Sequence, residues 1–178
     1  PAICAAYYVG FRIGECCALT WDDINMKKNE ITIRRTAVYD SGWIVQDLPK
    51  SNSSVRIAPF GQNFRQILLS IRSLQEHRRK EYGPFYSAGN YVCALPNGEM
   101  ITPDDLRYFN TWCKKNFGFG SFHTLRHTYA TNMLEAGADL ELVSKQLGHN
   151  SIVTTAKYYS HVLDKRKRLV ADLMDKAL

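Results

Sequence analysis

After a helical start, the hydrophobic period of this chain changes to two at Glu30, and strand patterns separated by turns follow to Ala58. Glu30-Ile-Thr-Ile-Arg-Arg-Thr-Ala-Val-Tyr39 alternates like a half-buried strand, because successive strand side chains point to opposite faces. Asp40-Ser-Gly42 is a turn, Trp43 to Leu48 a second strand and Ser54 to Ala58 a third. Pro49-Lys50-Ser-Asn-Ser is the turn-rich loop between the last two. The pattern predicts a mainly α chain with one small three-stranded antiparallel β-sheet, connected as a meander.

The rest reads as helices separated by clear breakers. Residues 1–20 form one helical pattern leading into Arg12 and Glu15, closed by Trp21-Asp-Asp-Ile. Between Gly61 and Tyr82, Phe64, Ile67, Leu68, Ile71 and Leu74 recur at helical spacing, opposite a basic face that reads as solvated. Tyr91 to Leu95 is a short extended piece ended by Pro96-Asn97-Gly98. Thr102-Pro-Asp-Asp105 is a helix cap with proline at the first helical position, and its helix runs to Asn116. His123 to Ala136 is a helix stopped by Gly137; Asp139 starts another that ends at Gly148; Ser151 caps a short one carrying Tyr158 and Tyr159. Asp164 opens a last helix with Leu169, Val170, Leu173 and Met174 as an apolar stripe.

At 178 residues the chain fits one domain able to bury a full core. A formal net charge of +6 suits a polyanionic partner without requiring one. The five cysteines are odd in number and form no C-x-x-C pair, which fits packing residues in a reducing compartment. No apolar run is long enough for a transmembrane helix. The chain starts at Pro1, inside a helical pattern, and reads as part of a longer protein.

The chemistry-bearing residues lie far apart in sequence. His123 and Arg126 are three apart, so on a helix they share a face. Arg126 offers a planar fork of donors matched to two phosphate oxygens, and His123 can move a proton near neutral pH. That spacing alone is more often a capped helix start with a surface arginine. His123 and His127 imitate a zinc-ligand spacing, but Thr124 stands where H-E-x-x-H needs its glutamate and no third ligand follows. No metal or other cofactor is called for. His149 follows a glycine that stops a helix and re-aims the chain. Arg12 sits in an apolar setting with Glu15 three residues on, close enough to orient it. Lys50, at a hairpin tip, is either a solvated lysine or a mobile cation over a groove.

Taken in order, these residues resemble the catalytic domain of the tyrosine recombinase (phage integrase) family, most closely the integrases of conjugative transposons and Gram-positive phages. Gly10-Phe-Arg12-Ile-Gly-Glu15 resembles the first arginine box, and Pro49-Lys50-Ser with Arg56-Ile-Ala-Pro59 the lysine hairpin. His123-Thr-Leu-Arg126-His127 resembles the H-x-x-R box, Leu147-Gly-His149 the second histidine box, and Tyr159-Ser-His161-Val the nucleophile box. Some members place the nucleophile nine residues after the second histidine, which selects Tyr158; others place it ten after, followed by Ser/Thr-His, which selects Tyr159. The Ser-His-Val context favours Tyr159.

The resemblance implies the tyrosine recombinase catalytic fold over residues 1–178, as a single domain without the N-terminal DNA-binding domains usual in the family. It implies a site-specific recombinase that cuts and rejoins DNA through a 3′-phosphotyrosine, integrating or excising a mobile element. Arg12 and Arg126 are expected to clamp the phosphate, His123 to act as base on Tyr159, Lys50 to protonate the leaving 5′-oxygen and His149 to donate to a phosphate oxygen. The expected partners are double-stranded DNA and other protomers in a DNA-bound tetramer, in the cytoplasm of a bacterium and associated with its nucleoid. Type IB topoisomerase activity and a catalytically inactive DNA-binding relative are the alternatives.

Overall fold

The computed structural model describes residues 1–49, 55–118, 120–149, 151–153, 155–160 and 162. The N-terminal helical pattern forms two helices, α1 (Ala2–Val9) and α2 (Ile13–Ala18), rather than the single one expected. The break has a steric cause. Gly10 ends α1 in the left-handed region at φ 75°, where a side chain is disfavoured. A Cβ there would also lie 2.6 Å from the Tyr129 ring on α5 (Phe122–Glu135), the helix against which α1 packs. Arg12 then runs extended as the N-cap of α2, and its backbone N–H donates to the Glu15 carboxylate at 2.8 Å.

A three-stranded antiparallel sheet is present, but its members differ from those expected. It runs β1 (Ile24–Asn25), β2 (Glu30–Ile33), β5 (Arg56–Pro59), while β3 (Arg35–Tyr39) and β4 (Trp43–Asp47) form a separate hairpin. The predicted strand Glu30–Tyr39 is therefore cut at Arg34. Consecutive strand side chains point to opposite faces. Arg34 and Arg35 nevertheless both donate to the buried Asp23 carboxylate, at 2.6 and 2.7 Å, so these neighbours do not alternate as strand residues do, and the Arg34 carbonyl already accepts from the Leu48 N–H of the hairpin. In the β2–β5 register Ala58 faces Ile31, both buried, and Arg56 pairs with Ile33 at the end of the sheet.

Helix α3 (Gln62–Tyr82) has the predicted bounds to within a residue and buries Phe64, Leu68 and Gln75. Helix α4 (Arg107–Phe117) starts later than its cap suggests. Thr102 and Asp105 do exchange hydrogen bonds, but the next links run from Leu106 to Pro103 and from Arg107 to Asp104, the tighter three-residue spacing of turns. Ser121 caps α5 through a reciprocal pair with Thr124. Asp139 caps α6 (Leu140–Leu147), and Gly148 ends it at φ 64°. Residues 155–160 are helical, as predicted. The predicted last helix from Asp164, with Leu169, Val170, Leu173 and Met174, lies outside the described residues.

The apolar side chains form two clusters. The larger joins α1, α2, β2, β5 and the start of α3. The smaller joins α5 and α6 to Tyr159 and Val162. Among the described residues no helix is long and apolar enough to cross a membrane.

Candidate active site

Separate segments converge on the C-terminal end of α6. The last carbonyls of a helix lack partners within it and carry partial negative charge. Three arginines supply the missing donors. Arg56 Nε donates to the Gln146 carbonyl at 2.7 Å, Arg126 Nη2 to that of Leu147 at 2.5 Å, and Arg12 Nη2 to that of Gly148 at 2.7 Å. Arg126 Nη1 also donates to the Gly10 carbonyl at 2.7 Å, so one guanidinium ties the end of α1 to the end of α6.

Glu15, only 2% exposed, holds this set together. Both of its oxygens accept from Arg56, at 2.9 and 2.8 Å, and Oε1 also accepts from Arg12 Nη1 at 2.9 Å. Burial pushes its carboxyl up, but the Arg56 fork, followed by Arg12, holds it below the usual range. Two guanidinium groups on the Glu15 carboxylate, with Arg126 within its electrostatic reach, leave positive charge in excess. Arg126 is pushed down to about 10 by burial and then by Arg12, which still leaves it charged at neutral pH.

The histidines and the tyrosine close the site. Gly148 turns the chain, the His149 N–H donates to the Ser144 carbonyl, and His149 Nδ1 lies 2.7 Å from the hydroxyl of the buried Thr155. The Tyr159 hydroxyl lies 2.7 Å from His127 Nδ1. Tyr159 is 3% exposed and belongs to the smaller apolar cluster, whereas Tyr158 is 59% exposed. His123 meets His127 edge to face, with ring centroids 4.4 Å apart. Arg126 bears electrostatically on His123, His149 and Tyr159 alike, which places all four in one electrostatic field.

Of the residues expected from sequence, the structure thus brings together Arg12, His123, Arg126, His149 and Tyr159. Lys50 and His161 lie outside the described residues. Arg56, His127 and Thr155 join the site without having been singled out for a role in it. The H-x-x-R pattern drew attention to His123 and passed over the next histidine. Thr155 lay six residues from His149, in a run read only as context for the tyrosines.

All three histidines are held below the usual imidazole range, first by burial and then by neighbouring cations. His149, with Arg126 and Arg12 beside it, falls to about 4. The unfolded chain therefore binds protons that the folded chain refuses between about 6.5, the free imidazole value, and the folded value. Stability is full above that window and is lost as pH falls through it; Glu15 and Asp23 extend the loss below it. The urea midpoint should drop steadily from pH 7.5 to 4.5, with a shallower slope in His149→Gln.

Backbone-anchored guanidiniums, neutral imidazoles and a phenol form a site suited to a tetrahedral anion and to attack on it by oxygen. The chain matches the phage integrase family over residues 2–166. A XerC-like tyrosine recombinase of Caldanaerobacter subterraneus is 31% identical over 91% of this chain and 45% of its own length. The ICEBs1 integrase of Bacillus subtilis is 27% identical over 97% of this chain and 47% of its own length. The chain thus spans about half the length of the curated relatives it matches. A solved structure of the Tn1549 transposon integrase with circular intermediate DNA superposes with a TM-score of 0.74 at 24% identity, covering 94% of this chain and 58% of that one. The XerA recombinase follows at 0.70 and 23%, covering 94% and 56%. The likeness of fold and the match along most of its length together establish that the chain belongs to the phage integrase family.

Proposed function

We propose that this chain is the catalytic domain of a site-specific DNA recombinase that cuts and rejoins strands through a 3′-phosphotyrosine. The observation that carries the reading is the Tyr159 hydroxyl, hydrogen-bonded inside the field of Arg126 beside the Arg12–Glu15–Arg56 cluster. A phosphodiester resists attack because it is anionic and its leaving oxygen is poor. Arg12 and Arg126 offset charge growing on the non-bridging oxygens, and His149, neutral at working pH, donates a hydrogen bond to one of them. Tyr159 attacks in line, and the covalent bond conserves the energy of the broken one, so rejoining needs no nucleotide. Lys50 is assigned to protonating the 5′-oxygen.

The partner of this site is double-stranded DNA, held in a tetramer of such protomers within a bacterial cell, where the enzyme moves a mobile element. The DNA-bound Tn1549 integrase supports the partner, and the relatives named above, all recombinases or integrases, favour strand exchange over simple relaxation. The test is covalent trapping of the intact protein on a nicked suicide duplex. An SDS-stable complex with a free 5′-hydroxyl, and a DNA adduct on the peptide carrying Tyr158 and Tyr159, is the expected result. Nicking without an adduct would sink the reading.

A further inference from the structure

The phenol of Tyr159 must lose its proton as it attacks, and among the described residues the side chain hydrogen-bonded to it is not the first histidine of the H-x-x-R box. His127 Nδ1 lies 2.7 Å from the Tyr159 hydroxyl, whereas His123 makes no hydrogen bond to that oxygen. His127 follows Arg126 directly and lies four residues after His123 on α5, so both histidines face the same side as the arginine. The Tyr159 ring is fixed by its apolar cluster, and the His127 ring is bracketed by His123 at 4.4 Å and Tyr158 at 5.6 Å. The pair is therefore set in place by packing on both partners.

Resting on the phosphotyrosine reading above, we propose that His127 is the general base for Tyr159, holding its hydroxyl at Nδ1 and taking its proton as the oxygen attacks phosphorus. The tautomer that does this carries its hydrogen on Nε2 and leaves the Nδ1 lone pair toward the phenol. One proton moves from Tyr159 Oη to Nδ1, the Oη–P bond forms, and the P–O5′ bond breaks. The 5′-oxygen takes a proton from a separate acid, the part assigned to Lys50, or from water. In the rejoining step His127 returns its proton to the departing Tyr159 oxygen.

The electrostatics fit a transfer made during attack rather than before it. Burial, then His123 and Arg126, hold His127 below the usual imidazole range, so it is neutral and able to accept. Burial pushes the Tyr159 phenol up, while Arg126 acts in the opposite sense and stabilises the phenolate. At rest the proton stays on oxygen, and the nucleophile is unreactive until a phosphate arrives.

Asparagine and alanine separate holding from proton transfer. The Asn amide can occupy the place of Nδ1 and keep a hydrogen bond to Tyr159, but it takes no proton. In the intact protein, single-turnover covalent trapping on a nicked duplex is expected to slow by about 100-fold or more in both His127→Asn and His127→Ala, the scale of general-base catalysis. DNA affinity and thermal midpoint should stay near those of the unsubstituted protein. A 5′-bridging phosphorothiolate, whose leaving sulfur needs no acid, should restore neither variant. Trapping by His127→Asn at the unsubstituted rate overturns the proposal, as does rescue by the phosphorothiolate, which would make His127 an acid for the leaving group. Failure of the unsubstituted protein to trap overturns the phosphotyrosine reading as well, and so is distinguishable from failure of the base alone.

Discussion

Tyr159→Phe is expected to form no covalent complex with a nicked duplex, while Tyr158→Phe traps within a few-fold of the unsubstituted rate. The two side chains are neighbours in sequence and opposites in setting. Tyr159 points its hydroxyl to His127 at 2.7 Å and seats its ring among Tyr129, Ala130, Leu134, Val143 and Leu147. Tyr158 is exposed and meets His127 only through its ring, with centroids 5.6 Å apart. Phenylalanine at 159 keeps the ring and its burial and removes only the attacking atom. The folding cost is that of one hydrogen bond, about 1 kcal/mol. Binding of duplex DNA should be unchanged in a gel-shift titration, so lost trapping reports lost chemistry. The reverse pattern, trapping by Tyr159→Phe and none by Tyr158→Phe, would transfer the nucleophile to Tyr158.

Local signals in the sequence were legible and distant ones were not. Arg12 and Glu15 could be paired because three residues on a helix start bring them together, and Gly148 could be read as a stop because its φ of 64° suits glycine. The order of the boxes supplied the rest of the expected set. Arg56 was visible only as part of the lysine hairpin and not by its contacts: its carboxylate partner lies 41 residues away and its carbonyl acceptor 90, so only the folded chain relates them. The cut at Arg34 was hidden for a related reason. The alternation through Thr32, Ile33 and Val38 is genuine, and what breaks it is Asp23, a buried carboxylate outside the strand pattern. His127 was visible as a residue but not as a contact, because its partner sits 32 positions on, in another helical segment.

Glu15→Leu should be among the most destabilising substitutions available in this chain, by roughly 3–5 kcal/mol, the range for removing one partner of a buried ion pair. Arg56 is the reason. Its side chain is 7% exposed, and Glu15 supplies the countercharge that both of its terminal nitrogens contact. Leucine leaves that guanidinium buried and unpaired, against a total stability of about 5–15 kcal/mol for a domain of this kind. Glutamine fares little better, since its NH₂ would face donors on Arg56 or Arg12. The half-exposed Arg12 can turn to water, so it adds little to the folding loss. Its part is functional: without Glu15 nothing holds its N–H and its fork together beside the Gly148 carbonyl. The double variant Glu15→Leu with Arg56→Met separates the two effects. Replacing a buried ion pair by apolar side chains of similar volume is often neutral, so the urea midpoint should return most of the way. Covalent trapping should stay depressed, because Arg12 remains unanchored. A Glu15→Leu midpoint equal to that of the unsubstituted protein would mean that the Gln146 carbonyl alone suffices to hold Arg56, and a double variant that regains full trapping would mean that Arg12 needs no carboxylate to meet the phosphate.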